Sequence, residues 1–322
     1  MFKEQLLIRV MTITRIVSFL PSATELIYEL GDQDLLYGVT HECKYPKDSQ
    51  TKPQVISSVI NSEKLSSSEI NARSCQLLNE GKDIFILNEA ILKKANPDLI
   101  ITQETCEVCA AYTNQVNKAI QILAKKPTVY SMDPHSLEEI LTSVTEIGEI
   151  LGKNKISKEI RIKLGEKISY IKKLSNSRKT KVLAIEWIDP FFTAGHWVPE
   201  MIESAGGINM ISKKGEHSRK MTFYEISKSD PEIIILMPCG FDTERTVEEY
   251  NKILKNNSDW SKLKAVKNKK IFAVDANSYF SKPSIRTITG LEILAKIIQP
   301  ENFVNLSVPR NSFFNVIEPI LA

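Results

Sequence analysis

The chain has 322 residues, of which 42% are hydrophobic and 25% charged, and it carries a formal net charge of +3 at pH 7. That length exceeds one ordinary domain and suits two, and the balance is that of a folded globular protein. Lysines scattered among glutamates leave no nucleic-acid footprint, and no apolar run is long enough to span a membrane.

Residues 1–10 (MFKEQLLIRV) are too short and too interrupted by charge for the core of a signal peptide, and they lack a lipoprotein-type cysteine. Met11 offers a second start. The expectation is a cytoplasmic chain; the alternative is the cell surface or periplasm if a leader has been removed. The five cysteines (Cys43, Cys75, Cys106, Cys109 and Cys239) are an odd number, which speaks against a closed disulfide framework and fits a reducing compartment.

Short apolar runs rich in branched residues occur at 15–19, 35–40, 98–102, 128–131, 181–186, 232–237 and 271–275. They do not alternate polar with apolar, so both faces are expected to be buried, as in parallel sheets. Helical patterns separate them, which predicts an α/β fold. From 136 the pattern changes. Leu137, Ile140, Leu141, Val144, Ile147, Ile150 and Leu151 form a helical stripe, with Ser136 as cap, Glu139 as its capping-box partner and Gly152 as the stop. A second helix over 155–175 carries Ile160, Leu164, Ile168, Ile171 and Leu174 on one face; at ~20 residues it spans about 30 Å. No strand is predicted between 136 and 180. The expected organisation is an N-terminal α/β lobe (1–135), a helical bridge (136–180) and a C-terminal α/β lobe (181–322). The lobes echo each other: NPDLII at 96–101 matches DPEIII at 230–235, and in both a helix stops before proline and a buried strand begins.

In open parallel sheets, ligands bind beyond the carboxyl ends of strands, and the unusual residues of this chain fall there. They are His41, Glu42 and Cys43; then Gln103, Glu104, Cys106 and Cys109; then Glu186, Trp187, Phe191, Phe192, His196 and Trp197; then Cys239; then Tyr279 and Phe280. Aromatic rings supply flat apolar area for a bulky ligand, and thiolates and imidazoles bind borderline and soft metals. A metal inside a macrocycle satisfies both. Cys43, Cys106, Cys109 and Cys239 are candidate ligands for a metal or an iron–sulfur cluster. The alternatives are that Phe191, Phe192 and Trp197 belong to the core and that the thiols are ordinary buried residues. Cys75 reads as a structural residue in a helix, and His135 and His217 as surface residues. No nucleophile elbow, phosphate loop or HExxH occurs, so no enzymatic activity is expected.

An ordered set of short motifs carries a resemblance: RIVSFLPSATE at 15–25, GV at 38–39, YP at 45–46, NPDLI at 96–100, FTAG at 192–195 and ESAGG at 203–207. Together they resemble the helical-backbone solute-binding proteins of ABC importers, and among them the cobalamin-binding group, from about residue 12 to about residue 300. The resemblance implies two Rossmann-like α/β lobes with parallel sheets joined by one long backbone helix, and capture of a metal chelate without catalysis. It implies contact positions at Pro21 and Ser22, the loop 41–45 with Tyr45, the loop 103–109, the stretch 187–196, and the loops 239–242 and 277–280. The sequence departs from the family pattern in three ways. It shows no leader, and Gln103 and Cys106 stand where the cobalamin importers place an aromatic ring. Glu89 and Glu225, the counterparts of the permease-docking glutamates, sit one position off.

The expected function is binding of cobalamin or a related corrinoid in a cleft between lobes, by a monomer that serves uptake through an ABC-importer permease or handles the ligand inside the cell. The alternatives are a binder of haem or a ferric siderophore, or a redox protein or enzyme with a thiolate-ligated metal or cluster in the cleft. Catecholate siderophores demand several arginines, and only Arg286 lies near a predicted cleft loop unless Arg245 reaches in.

Overall fold

The computed structural model describes residues 13–103, 110–175 and 179–317. The first part of the chain runs β1 (Ile16–Ser18), α1 (Pro21–Glu29), β2 (Leu36–Thr40), β3 (Gln54–Ser58), α2 (Ser67–Asn79), β4 (Phe85–Leu87), α3 (Glu89–Ala95), β5 (Leu99–Gln103), α4 (Ala110–Ile122) and β6 (Thr128–Met132). These strands form a sheet in the order β4-β3-β2-β1-β5-β6. Its strands β3, β2, β1, β5 and β6 pair in parallel, and β4 closes one edge antiparallel to β3. Ile16, Val17, Leu99, Ile100 and Ile101 are wholly buried, as expected for strands covered on both faces. β3 and β4 escape the sequence reading because they are short and partly exposed, Ile86 to 54%, so their pattern is not that of a buried strand.

The second part runs β7 (Thr180–Trp187), β8 (Phe192–Thr193), α7 (Val198–Ser204), β9 (Gly207–Asn209), α8 (Phe223–Ser229), β10 (Ile233–Leu236), α9 (Thr243–Ile253), α10 (Lys264–Lys267), β11 (Ile271–Val274), α11 (Ala276–Tyr279), α12 (Thr287–Ile298) and β12 (Phe313–Asn315), if the two helices of the middle segment are numbered α5 (Leu137–Ile150) and α6 (Asn154–Leu174). The sheet order is β12-β11-β10-β7-β8, with β9 also on β7. β7, β10 and β11 pair in parallel, while β8 and β12 run antiparallel. Both sheets are therefore parallel at the centre and mixed at the edge. A hairpin return or a late strand reaches an edge easily, whereas the centre needs a crossover helix.

The middle segment holds no strand among the described residues and consists of α5 and α6 packed side by side. Ser136 caps α5 by accepting from the Glu139 N–H, and the Glu139 carboxylate reaches back one residue further than expected, to the His135 N–H. The two helices approach closely at Gly148, where an added Cβ would lie 2.2 Å from the Ser157 side chain. Each helix serves both cores. Val144 and Ile147 of α5 and Ile160 of α6 pack with Ile16, Leu26 and Leu99 of the first sheet's core. Leu137, Ile140, Leu141, Ile168 and Ile171 pack with Val182, Ile233 and Leu291 of the second. The long helix seen in the sequence thus has a partner, and the connection is a rigid hairpin.

The internal echo has a structural counterpart. α3 and α8 both end on a residue with left-handed backbone, Asn96 at φ 42° and Asp230 at φ 46°. A proline follows each and forbids continuation of the helix, and the next strands, β5 and β10, pair in parallel with β1 and β7. Asn and Asp are the non-glycine residues that tolerate this conformation best.

Candidate functional site

The carboxyl ends of the two sheets meet along a seam, and direct contacts between the two halves hold it. At one place the arginine at the turn before α12 reaches across to α1. Arg286 Nε donates to Glu25 Oε2 at 3.0 Å and Nη2 to Oε1 at 2.5 Å, a two-pronged pair with the Glu25 side chain buried. The same guanidinium lies 4.1 Å from the Tyr45 ring centre and 5.7 Å from that of Tyr279, so tyrosines of both halves flank it. Burial disfavours the charge on Arg286, but the hydrogen bonds and charge of Glu25 outweigh it and hold the guanidinium above its ordinary pKa.

At a second place α9 meets the start of α2. The Ser67 N–H donates to Glu249 Oε1 at 2.7 Å, and the Ser67 hydroxyl donates to the same oxygen. Ser67 is the first residue of α2, so a carboxylate from the other half answers the open N–H groups and positive end of that helix. Arg245 Nη2 donates to the carbonyls of Ser62 at 2.6 Å and Leu65 at 2.9 Å, with its guanidinium 3.6 Å above the Phe241 ring. Trp187 Nε1 donates to the Ser67 carbonyl at 3.2 Å, and its ring meets Phe241 edge-on at 5.5 Å.

At a third place the exit of β6 meets the loops after β8. His196 and His135 approach with their Nδ1 atoms 3.4 Å apart, and the His217 ring stands edge-on to both, with centroids 5.1 Å and 5.4 Å away. His135 Nε2 lies 3.1 Å from Asp133 Oδ1. Burial, and then the neighbouring His217 and His135, push the His196 pKa down to about 4. Beside it, Glu186 accepts the Gly195 N–H at 3.1 Å. Burial pushes Glu186 up to about 7, against the Gly195 N–H and the Ser218 hydroxyl, which pull it down.

The predicted residues divide accordingly. Tyr45 is 45% exposed at the seam, Trp187, Phe192 and Tyr279 are half-buried, and Gln103 and Glu42 are partly exposed at the ends of β5 and β2. Pro21 and Ser22 form the buried first turn of α1. Phe191, Trp197 and Phe280, by contrast, are used inside the second half. Phe191 stacks on Trp260 at 5.9 Å, Trp197 Nε1 donates to the Phe280 carbonyl, and Phe280 is 3% exposed. His41 packs at 6.1 Å from Phe85 of the edge strand β4, and its buried Nδ1 has no hydrogen-bond partner among the described residues.

Of the four expected metal thiols, only Cys43 and Cys239 are among the described residues. Cys43 lies in the core of the first half, its Sγ 3.2 Å from Thr24 Oγ1 and 3.5 Å from Thr40 Oγ1, and burial raises its pKa against those hydrogen bonds. The loop turns back at 41–43, where the Cys43 N–H donates to the Thr40 carbonyl, so the side chain points into the lobe instead of out of it. Cys239 is exposed after β10, while Glu104, Cys106 and Cys109 lie outside the described residues. Cys75, expected to be structural, is exposed on α2. Among the described residues no three His, Cys, Asp or Glu side chains stand ready-made as a metal centre. The sequence reading missed Glu249 and Ser67 because nothing local marks a polar residue as reaching across a seam, whereas Arg245, named there as able to reach in, does so to Ser62 and Leu65. His135 and His217 were set aside as surface residues. His217 is indeed exposed, but their signal was number: three of only four histidines meet.

A hollow of about 320 Å³ does not coincide with these groups. It is lined by Phe223, Ser227, Asp230, Asp259 and Lys262 and lies at the amino end of β10, opposite to where strand-end ligands bind. At the seam itself, between Ser22, Met132, Ile140 and Ile285, the contacts leave only about 10 Å³.

Residues 16–278 match the model of the periplasmic binding protein family, and the chain belongs to that family. A Bacillus subtilis protein described as an uncharacterized ABC transporter substrate-binding lipoprotein is 26% identical over 297 residues, 90% of this chain and 81% of that protein. The high-affinity heme uptake system protein IsdE of Staphylococcus aureus is 23% identical over 58% of this chain and 63% of its own length. Among solved structures, the periplasmic vitamin B12 binding protein of Vibrio cholerae superposes with a TM-score of 0.65 at 18% identity, covering 89% of this chain and 97% of that one. The periplasmic heme-binding protein RhuT of Roseiflexus gives 0.62 at 20%, over 89% and 98%. The chain is therefore a solute-binding protein of an ABC importer and not an enzyme. The cytoplasmic location read from residues 1–10 is corrected: the family is one of periplasmic binding proteins, and the Bacillus relative is a lipoprotein. A charged, short N-terminal stretch was too little to decide location.

Proposed function

We propose that the protein binds cobalamin or a related corrinoid at the seam, between an N-terminal lobe (1–135) and a C-terminal lobe (181–322) joined by the bridge 136–180. The observation that carries this reading is that both arginines of the seam are already engaged: Arg286 by Glu25, and Arg245 by the carbonyls of Ser62 and Leu65. Haem brings propionates and catecholate siderophores bring a net negative charge, and each calls for an unengaged guanidinium. A corrinoid is rimmed by neutral amides. These suit acceptors such as Glu42, Glu186 and Gln103 and flat apolar rings such as Tyr45, Trp187, Phe192 and Tyr279, with Pro21 and Ser22 beneath them. Glu89 and Glu225, on the first turns of α3 and α8, are the proposed contacts to the permease, one on each lobe.

Titration of the purified protein with aquocobalamin, followed by absorbance and calorimetry, is expected to show one site per chain. Tyr45→Ala and Tyr279→Ala are each expected to weaken binding by about 1–3 kcal/mol, the range for truncating a buried aromatic anchor. Tight binding of haem with no response to any corrinoid would overturn the assignment.

A further inference from the structure

From the meeting of His135, His196 and His217 across the seam, we infer that the protein carries a second site, for a divalent transition cation of the zinc type, that staples the exit of the first sheet to the second lobe. The three rings come from separate segments: His135 from the connection between β6 and α5, His196 from the loop after β8, and His217 from the loop before α8. Their centroids stand 5.4, 5.4 and 5.1 Å apart. Three imidazoles on one tetrahedral ion, at the usual metal–nitrogen length of about 2.0–2.1 Å, have centroids about 5 Å apart and ligand nitrogens about 3.4 Å apart. The one nitrogen pair already aligned, Nδ1 of His135 and Nδ1 of His196, is separated by 3.4 Å.

The surroundings favour a ligand role over chance packing. Asp133 Oδ1 sits 3.1 Å from His135 Nε2, so the ring proton is held there and the Nδ1 lone pair is presented to the cluster. A carboxylate behind a histidine is the usual orienting arrangement of metal-bound imidazole. The backbone of His196 is left-handed at φ 55°, a conformation that a non-glycine residue keeps only where its surroundings fix it. Its N–H donates to the Glu216 carbonyl at 2.7 Å, and its carbonyl accepts the Gly215 N–H at 2.9 Å, so His196 is tied to the loop that carries His217. The ligand atoms are not yet converged, because the His217 ring stands edge-on. Rotation of this exposed side chain about its broad two-fold torsion supplies the third nitrogen without moving the backbone. The fourth position is left for water or a further carboxylate.

The test uses tag-free full-length protein stripped with a chelator, with Zn²⁺ as the probe and Co²⁺ for its visible spectrum. The expected result is one equivalent of Zn²⁺ per chain, a tetrahedral Co²⁺ spectrum, and a rise in melting temperature on metal addition. His135→Ala and His217→Gln should each weaken Zn²⁺ binding by at least about tenfold, and Asp133→Asn by roughly 10–100-fold, as for other groups that orient a ligand. His217 is on the surface, so its variant keeps the fold and remains informative if His135→Ala does not fold. Stoichiometry below one, or a His217→Gln variant that binds zinc like the parent, overturns the three-histidine site. Aquocobalamin titration of the same variants separates this inference from the corrinoid reading. Retained corrinoid with lost zinc supports an independent cation site, and joint loss overturns its independence.

Discussion

Two parts of the same seam are built on opposite electrostatics. At Glu25 and Arg286 full charges are buried in contact, each answering the other. At Glu186 and His196, one residue beyond Gly195, desolvation shifts two ionisable groups toward their neutral forms instead, one carboxyl pushed up to about 7 and one imidazole pushed down to about 4. The difference shows two ways of burying an ionisable group: pair it, or remove its charge. The paired end is a two-pronged ion pair, which is expected to fail badly when one partner is removed. The neutral end is expected to respond to pH.

The largest expected effect is at the paired end. Arg286→Ala leaves the Glu25 carboxylate buried without its partner and should destabilise the protein by about 3–5 kcal/mol in denaturant unfolding, because the desolvation of the remaining charge is no longer offset. The double variant Glu25→Gln with Arg286→Met should recover most of that loss. A double variant as unstable as the single one would break the comparison, since the cost would then be lost packing against Tyr45 and Tyr279 and not an orphaned charge.

The next effect is smaller and has a sign. Glu186 binds its proton more tightly folded than unfolded, so its contribution to stability is full below its ordinary value of 4.5 and is lost as pH rises to about 7. His196 is the reverse: its contribution is full above 6.5 and is lost as pH falls to about 4. Displacements of this size are worth at most about 3 kcal/mol each. In chelator-treated protein the two slopes oppose each other between 4.5 and 6.5, so the parent should be nearly flat there, with stability falling from 6.5 to 7 as Glu186 ionises. Glu186→Gln should expose the histidine slope, with stability falling as pH falls. His196→Asn, chosen because Asn accepts the left-handed backbone, should expose the carboxyl slope, with stability rising as pH falls. Unfolding curves at four or five pH values decide this, and parallel profiles for all three proteins would refute it.

How much of this was legible in the sequence follows from the range of the interactions. The central strands and the two helices of 137–174 show because burial on two faces or one stripe imprints a local pattern. The short strands β3, β4, β8 and β12 carry no such imprint. At the seam, the strand-end rule singled out Trp187, Glu186, His196 and Tyr279, but it could not say which way each side chain turns. Cys43 turns into the first core and Phe191 onto Trp260, whereas Trp187 turns across the seam. The cross-seam partners Ser67, Glu249 and Arg245 are more than 100 residues from the groups they meet, and only the folded chain relates them.

The smallest effect tests whether the seam has a part that is neither charged nor titrating. Successive residues of a strand point to opposite sides, and β7 ends on such a pair: Glu186 turns to Gly195 within its own half, and Trp187 turns to Ser67 of the other. Trp187→Phe keeps an aromatic ring against Phe241 but removes the indole N–H that donates to the Ser67 carbonyl. One neutral hydrogen bond at a half-buried site contributes about 0.5–1.5 kcal/mol, and the freed carbonyl can still find water. The expected loss is therefore about 1 kcal/mol, equal at pH 5 and pH 8, because neither partner titrates. Ser67 also donates to Glu249, so a loss well above that range would mean that the Ser67 carbonyl and the Glu249 contact act as one unit. A double variant with Glu249→Gln, less destabilising than the sum of the two single changes, would locate that coupling at the start of α2.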